Sequence, residues 1–162
     1  MLDPGDLLAV ARSLCSADDA SPAALRRAVS TGYYALFHAV LRAAAGRYAD
    51  DGSAAYALLY RSFEHGQMRA ACEVVGRGRF GGRLEKTMGR AAVSEAARDF
   101  ALGFVAAQER RMTADHEPRG AFDALDVRSG LAEVERALDA FGRIPAEERA
   151  DLLALLMVRA RG

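Results

Sequence analysis

The fold is decided by the stretch SPAALRRAVSTGYYALFHAVLRAAA, Ser21–Ala45. The Ser21 hydroxyl can cap a helix, and Pro22 suits the first helical position because its φ is fixed and no N–H is needed there. Apolar residues then recur at helical spacing as far as Ala45, and Gly46 follows. The stretch therefore predicts one long helix that stops at Gly46.

The predicted long helix has two distinct faces. Small residues follow a 4-3-4 spacing along one edge, at Ala28, Gly32, Ala35 and Ala39. Such a row lets a second helix approach closely, either within the chain or in a dimer. Polar residues occupy the opposite face, at Arg27, Thr31, His38 and Arg42. Two interpretations of this face stay open: a solvated surface, or a binding stripe for phosphate groups in which His38 can transfer a proton.

Helical patterns continue on both sides of this stretch. Cap residues and apolar spacing predict further helices at about 5–15, 53–63, 67–75, 94–115, 122–141 and 145–160. The Gly- and Arg-rich segment 76–90 is expected to be a mobile loop, and two interpretations of it stay open: a solvated linker, or a flexible basic segment that wraps nucleic acid. The short segment 67–75 is left out of the count, so we expect an all-α, up-and-down helical bundle of about five to six helices, in a single domain covering residues 1–162.

Composition excludes several classes of protein. Lys and Arg number 22, as do Asp and Glu, which argues against a nucleic-acid binder that works through bulk positive charge. No apolar run is long enough for a membrane span, and the N-terminus does not resemble a signal peptide. Cys15 and Cys72 lie far apart, which favours two buried, reduced thiols. A cytoplasmic protein without metal or cofactor is expected, since His and Cys show no metal-ligand spacing.

The segment before Pro118 carries the strongest chemical signal. Its apolar seam, continued at helical spacing, reaches Arg111, whereas Arg110 points elsewhere. A buried guanidinium needs a partner, and Asp115 lies four residues on, so an internal ion pair is one interpretation. Arg111 and His116 together suggest another, because His can act as general acid or base and Arg can neutralise a phosphoryl group during metal-independent RNA cleavage.

Two motifs resemble the HEPN domain superfamily. Arg26–His38, RRAVSTGYYALFH, resembles its second-helix pattern R-x-A-x-S-x-x-Y-Y-A-x-F. Phe104–His116, FVAAQERRMTADH, is similar to the HEPN segment that ends in R-x-x-A-D-Y or R-x(4–6)-H. In the first of these two endings, His116 occupies the Tyr position. The resemblance covers roughly residues 21–141.

The resemblance implies a small helical bundle that homodimerises, and in many family members a metal-independent endoribonuclease of toxin or defence type. Arg111 would then stabilise the scissile phosphate, and His116 would transfer the proton. Arg27, His38, Arg42 and Arg110 are the candidate RNA-binding residues. The alternative is a non-catalytic helical binding or scaffold module that homodimerises. A nucleotidyltransferase partner is a further expectation by family analogy.

Overall fold

The computed structural model describes residues 3–157, which contain eight helices and no β-strand. The all-α class is therefore confirmed, and the expected count of five to six helices is wrong. In chain order they are α1 (Pro4–Leu14), α2 (Pro22–Tyr48), α3 (Ala54–Arg61), α4 (His65–Gly76), α5 (Gly82–Met88), α6 (Glu95–His116), α7 (Ala124–Arg143) and α8 (Ala146–Met157). The expected end of the last helix near residue 160 lies outside the described residues.

Short polar side chains begin most of these helices. Asp3 accepts a hydrogen bond from the Gly5 N–H at 2.8 Å, and Pro4 occupies the first helical position of α1. Ser53 caps α3 in the same way, by accepting from the Tyr56 N–H at 3.0 Å. Each bond satisfies an N–H that has no partner inside its helix. These predicted starts are confirmed because capping depends on local sequence.

The predicted stop of α2 at Gly46 is wrong, since the helix continues to Tyr48. Gly46 does not adopt the left-handed conformation that ends a helix; a positive φ occurs instead at Gly52, in the turn that follows. Glycine weakens a helix by about 1 kcal/mol but does not by itself terminate one.

The chain divides into two compact units. Unit 1 comprises the residues up to Ala39 together with Gly103–Leu138. Its centre contains Tyr33, which is fully buried and meets the Phe104 ring edge-on at 5.7 Å. Leu36 and Val127 are also buried in this unit. The core therefore joins the first part of α2 to the second part of α6 and to α7.

In unit 1 the small-residue row of α2 lies against another helix of the same chain. Ala28 and Ala35 are fully buried. A Cβ on Gly32 would collide with the Leu131 side chain of α7. The close helix approach that the row predicts is therefore present. Its use as a dimer surface stays a prediction, although α7 already covers Gly32.

Unit 2 comprises Val40–Leu102 together with the residues from Asp139 onward. Phe100 and Phe141 pack in its core with ring centroids 4.9 Å apart. Helix α4 packs against α8, and each contributes fully buried side chains, among them Met68, Cys72 and Leu156. No helix among residues 3–157 is long and apolar enough to cross a membrane.

The segment expected to be a mobile loop is ordered, which corrects that prediction. It contains α5 and an isolated antiparallel bridge between Arg79 and Ala92. The Phe80 N–H donates to the Ala91 carbonyl at 2.8 Å, and the Val93 N–H donates to the Gly78 carbonyl at 3.1 Å. These bonds close the two ends of the segment on each other and leave α5 between them.

Candidate functional site: the polar network of α2 and α6

The candidate site in unit 1 is a polar network between α2 and the end of α6. Arg26, Ser30 and Tyr34 are spaced four residues apart, so they lie within an arc of about 80° on α2. Arg111 and Asp115 have the same spacing on α6. All five side chains take part in contacts between the two helices or within the end of α6. The network unites fixed positions of both quoted motifs.

Arg26 binds the C-terminal end of α6 through three carbonyl oxygens. Its guanidinium donates to the carbonyls of Ala114 at 2.7 Å, Glu117 at 2.6 Å and Gly120 at 2.7 Å. The last carbonyls of a helix have no partner within it, and a positive charge there is favoured by the helix dipole. Arg26 therefore caps α6 and fixes the turn that follows.

Arg111 is largely enclosed by its partners. Its side chain is 16% exposed, and its Nε lies 2.6 Å from Asp115 Oδ2 in an ion pair. A second guanidinium nitrogen donates to the Tyr34 hydroxyl at 3.3 Å, and Cζ lies 5.7 Å from the Tyr34 ring centroid. The predicted ion pair with Asp115 is thus present. Ser30 completes the link, because its hydroxyl donates to Asp115 Oδ2 at 3.3 Å.

His116 lies apart from this arrangement. It is the exposed last residue of α6 and makes no hydrogen bond or ion pair with residues 3–157. It lies five positions after Arg111 on the helix, which rotates the two side chains by about 140° from each other around the axis. One chain alone therefore presents the guanidinium toward α2 and the imidazole on a different side of α6.

His38 is the histidine that lies beside the network. Its ring stacks on Tyr34 with centroids 6.0 Å apart, and Phe37 meets it edge-on at 5.7 Å. Burial lowers the pKa of His38 below its ordinary value of 6.5. Tyr34 thus contacts the Arg111 guanidinium and the His38 imidazole, which brings a cation and a neutral proton acceptor to one aromatic ring.

The other three predicted binding residues lie in different surroundings. Arg27 is exposed and has no partner among residues 3–157, as expected of a solvated or ligand-binding side chain. Arg110 is 29% exposed and bound to the start of α7, with Asp126 Oδ2 at 2.8 Å and the Asp126 carbonyl at 2.9 Å. Arg42 belongs to unit 2, where its charge acts on Tyr56 and Tyr60. Within unit 1, Arg27 and Arg110 therefore have no partner in common.

Sequence reasoning missed Arg26, Ser30 and Tyr34 as members of the site. The available signal was their four-residue spacing, together with their places in the quoted second-helix pattern. Among residues 3–157, no group of three or more His, Cys, Asp or Glu side chains has a geometry suited to a metal ion.

The chain matches no protein-family model, no curated protein and no solved structure. The HEPN resemblance accordingly rests on the two quoted motifs, and what those residues do is argued from their contacts.

Proposed function

We propose that this chain is a HEPN-like helical module that acts by binding a macromolecular partner, with Arg111 as a structural residue. The contacts of Arg111 carry this proposal. Its charge is neutralised by Asp115, its Nη2 donates to the Tyr34 hydroxyl, and only 16% of the side chain is exposed. A guanidinium already paired in this way would have to give up those contacts to hold a scissile phosphate.

The motif residues then have a common role in this proposal. Arg26, Ser30 and Tyr34 on α2 and Arg111 and Asp115 on α6 hold the end of α6 in place. Buried or half-buried polar networks of this kind fix one arrangement of two helices, because a broken partner leaves a charge unsatisfied. The resemblance to HEPN domains therefore supports a shared fold more directly than a shared reaction.

A metal-independent endoribonuclease is the second candidate, and one observation favours it. Arg111 and His38 both contact the Tyr34 ring, so a cation and an imidazole with a lowered pKa lie at one place. His116 is the other candidate for proton transfer, and it would have to meet an arginine from a second copy. With His116 in this role, the candidate depends on the homodimer that the resemblance implies.

The two functions are separated by a cleavage assay in EDTA. Purified protein is incubated with structured and single-stranded RNA beside Arg111→Ala, His116→Ala and His38→Ala, with Arg119→Ala as an exposed control. The binding module produces no RNA fragments that depend on Arg111 or on either histidine. Arg111→Ala lowers its melting temperature by about 5 °C, because Asp115 loses its partner.

Cleavage that leaves a 2′,3′-cyclic phosphate, and that is lost in His116→Ala or in His38→Ala while the fold persists, overturns the binding proposal. His116 is the sharper test, because its exposed side chain makes no contact whose loss would unfold the protein. Light scattering on the same samples measures the mass against 17.3 kDa for one chain and so tests the proposed homodimer.

A further inference from the structure

We propose that the basic segment, residues 77–98, binds the sugar–phosphate backbone of a nucleic-acid duplex. This inference is independent of the role of Arg111, because no residue of the basic segment belongs to the polar network. Residues 77–98 contain two carboxylates, Glu85 and Glu95, and six basic side chains, Arg77, Arg79, Arg83, Lys86, Arg90 and Arg98. An excess of four positive charges is thus concentrated in a chain whose formal net charge is zero.

The cations of the basic segment are held by an ordered backbone. The bridge between Arg79 and Ala92 joins the two chain segments that flank α5. Arg98 on α6 donates through Nε to the Gly76 carbonyl at 3.3 Å, which brings its side chain to the same loop. Gly78, with a φ of 76°, turns the backbone beside Arg98. A fixed array loses little conformational entropy when it binds, in contrast to a flexible tail.

Four of these side chains remain available for a ligand. Arg77, Arg79, Arg83 and Lys86 are exposed and form no ion pair with any residue from 3 to 157. Arg90, by contrast, is bound to Asp151 at 2.7 Å and anchors the segment to α8. Exposed unpaired cations in a short ordered stretch suit a polyanion with regularly spaced charges.

The apolar residues of the segment indicate which polyanion. Phe80, its only aromatic residue, is 6% exposed, and Leu84 and Met88 are half-buried. No ring is therefore offered for stacking, which single-strand binders use, and no large apolar side chain is offered for insertion into a membrane surface. Contact through phosphates alone fits a duplex, whose bases are already stacked on one another.

The test compares two double variants of equal charge. Arg83→Glu with Lys86→Glu reverses two cations of the basic segment, whereas Arg119→Glu with Arg136→Glu reverses two exposed cations of unit 1. Binding is measured by fluorescence anisotropy with a 20-base-pair DNA duplex, a 2′-O-methyl RNA duplex and the matching single strands. EDTA and the modified sugar prevent cleavage, so binding is scored whether or not the chain is a nuclease.

The wild type and the unit 1 variant are expected to have the same affinity for each duplex. Both proteins should bind the duplexes more tightly than the single strands. The segment variant is expected to bind both duplexes at least about tenfold more weakly. Its slope of log K against log salt concentration should be smaller in magnitude by about one to two. Equal loss in both variants, no loss in either, tighter binding to single strands, or preferential binding to anionic vesicles would overturn the proposal.

Discussion

Arg26 has more polar contacts to the end of α6 than any side chain predicted for the site, and it gives a direct test of the network. Replacing it with Met keeps the apolar stem but removes the three donors to Ala114, Glu117 and Gly120. We expect Arg26→Met to lower the free energy of unfolding by about 2–3 kcal/mol, since charged hydrogen bonds are lost and a helix end is left uncapped.

Urea denaturation measures this loss, and the neighbouring variant Arg27→Met is its control. Arg27 is exposed and unpaired among residues 3–157, so its replacement should change stability by no more than about 0.5 kcal/mol. Equal effects at both positions would contradict a capping role for Arg26.

His38 makes stability depend on pH in a definite direction. Burial lowers its pKa below 6.5, so the unfolded chain takes up this proton at a higher pH than the folded chain does. The free energy of unfolding should therefore fall as pH drops from about 6.5 toward the folded-state pKa, and this contribution should be constant above that window. Melting temperatures of wild type and His38→Gln between pH 5 and 8 measure it.

In that experiment, His38→Gln should show a weaker decrease in melting temperature toward pH 5 than the wild type. His116→Gln replaces an exposed histidine and serves as the control. A pH profile that is the same in wild type and His38→Gln would show that the half-buried ring does not resist protonation.

Residues with a local partner could be predicted, and residues with a distant partner could not. The Arg111–Asp115 pair follows from four-residue spacing within one helix. Arg26 binds carbonyls that lie 88 to 94 positions away, and no spacing rule links those positions. His38 was assigned to a face expected to be solvated or to contact phosphate, because helical periodicity does not show that Tyr34 and Phe37 rings cover it.

At the scale of elements, α6 and α7 approach closely at Gly103. A Cβ added there would lie 2.6 Å from the Ala137 Cβ and 3.7 Å from the Ala137 Cα, so the backbone of one helix has to move. We expect Gly103→Ala to destabilise the protein by about 1–2 kcal/mol despite the better helix propensity of alanine. Thermal unfolding followed by circular dichroism measures this effect.

Gly46→Ala is the matched control within α2. Apart from the chain neighbours and the backbone of α2 itself, no atom lies within 4 Å of the added methyl group, so helix propensity alone acts, and we expect a gain of up to about 1 kcal/mol. If Gly103→Ala stabilised the chain as much as Gly46→Ala does, the close approach of α6 and α7 would be refuted.

The element that sequence patterns missed is α5. It spans seven residues and is bordered by Gly81 and Gly89, and such glycines indicate loops when taken alone. Its order comes from contacts distant in sequence, among them the Arg90–Asp151 ion pair, the bond of the Ser94 N–H to Glu148, and the burial of Phe80. The long helices were predictable because caps and apolar periodicity are local properties.

At the scale of the whole molecule, each compact unit contains one buried thiol. Cys15 in unit 1 is 1% exposed and Cys72 in unit 2 is fully buried. Burial raises the pKa of both thiols, so little reactive thiolate forms in the folded chain. Reaction of each cysteine with a thiol reagent therefore reports the opening of its own unit.

We expect both cysteines to become reactive over the same range of urea concentration. Helices α2, α6 and α7 each supply residues to both units, so loss of one unit would cut short three helices of the other. Shortened helices are unstable in water, which couples the two transitions. Mass spectrometry of peptides labelled at each urea concentration separates the two sites, and labelling of one cysteine at distinctly lower urea would contradict the single domain that the sequence predicts.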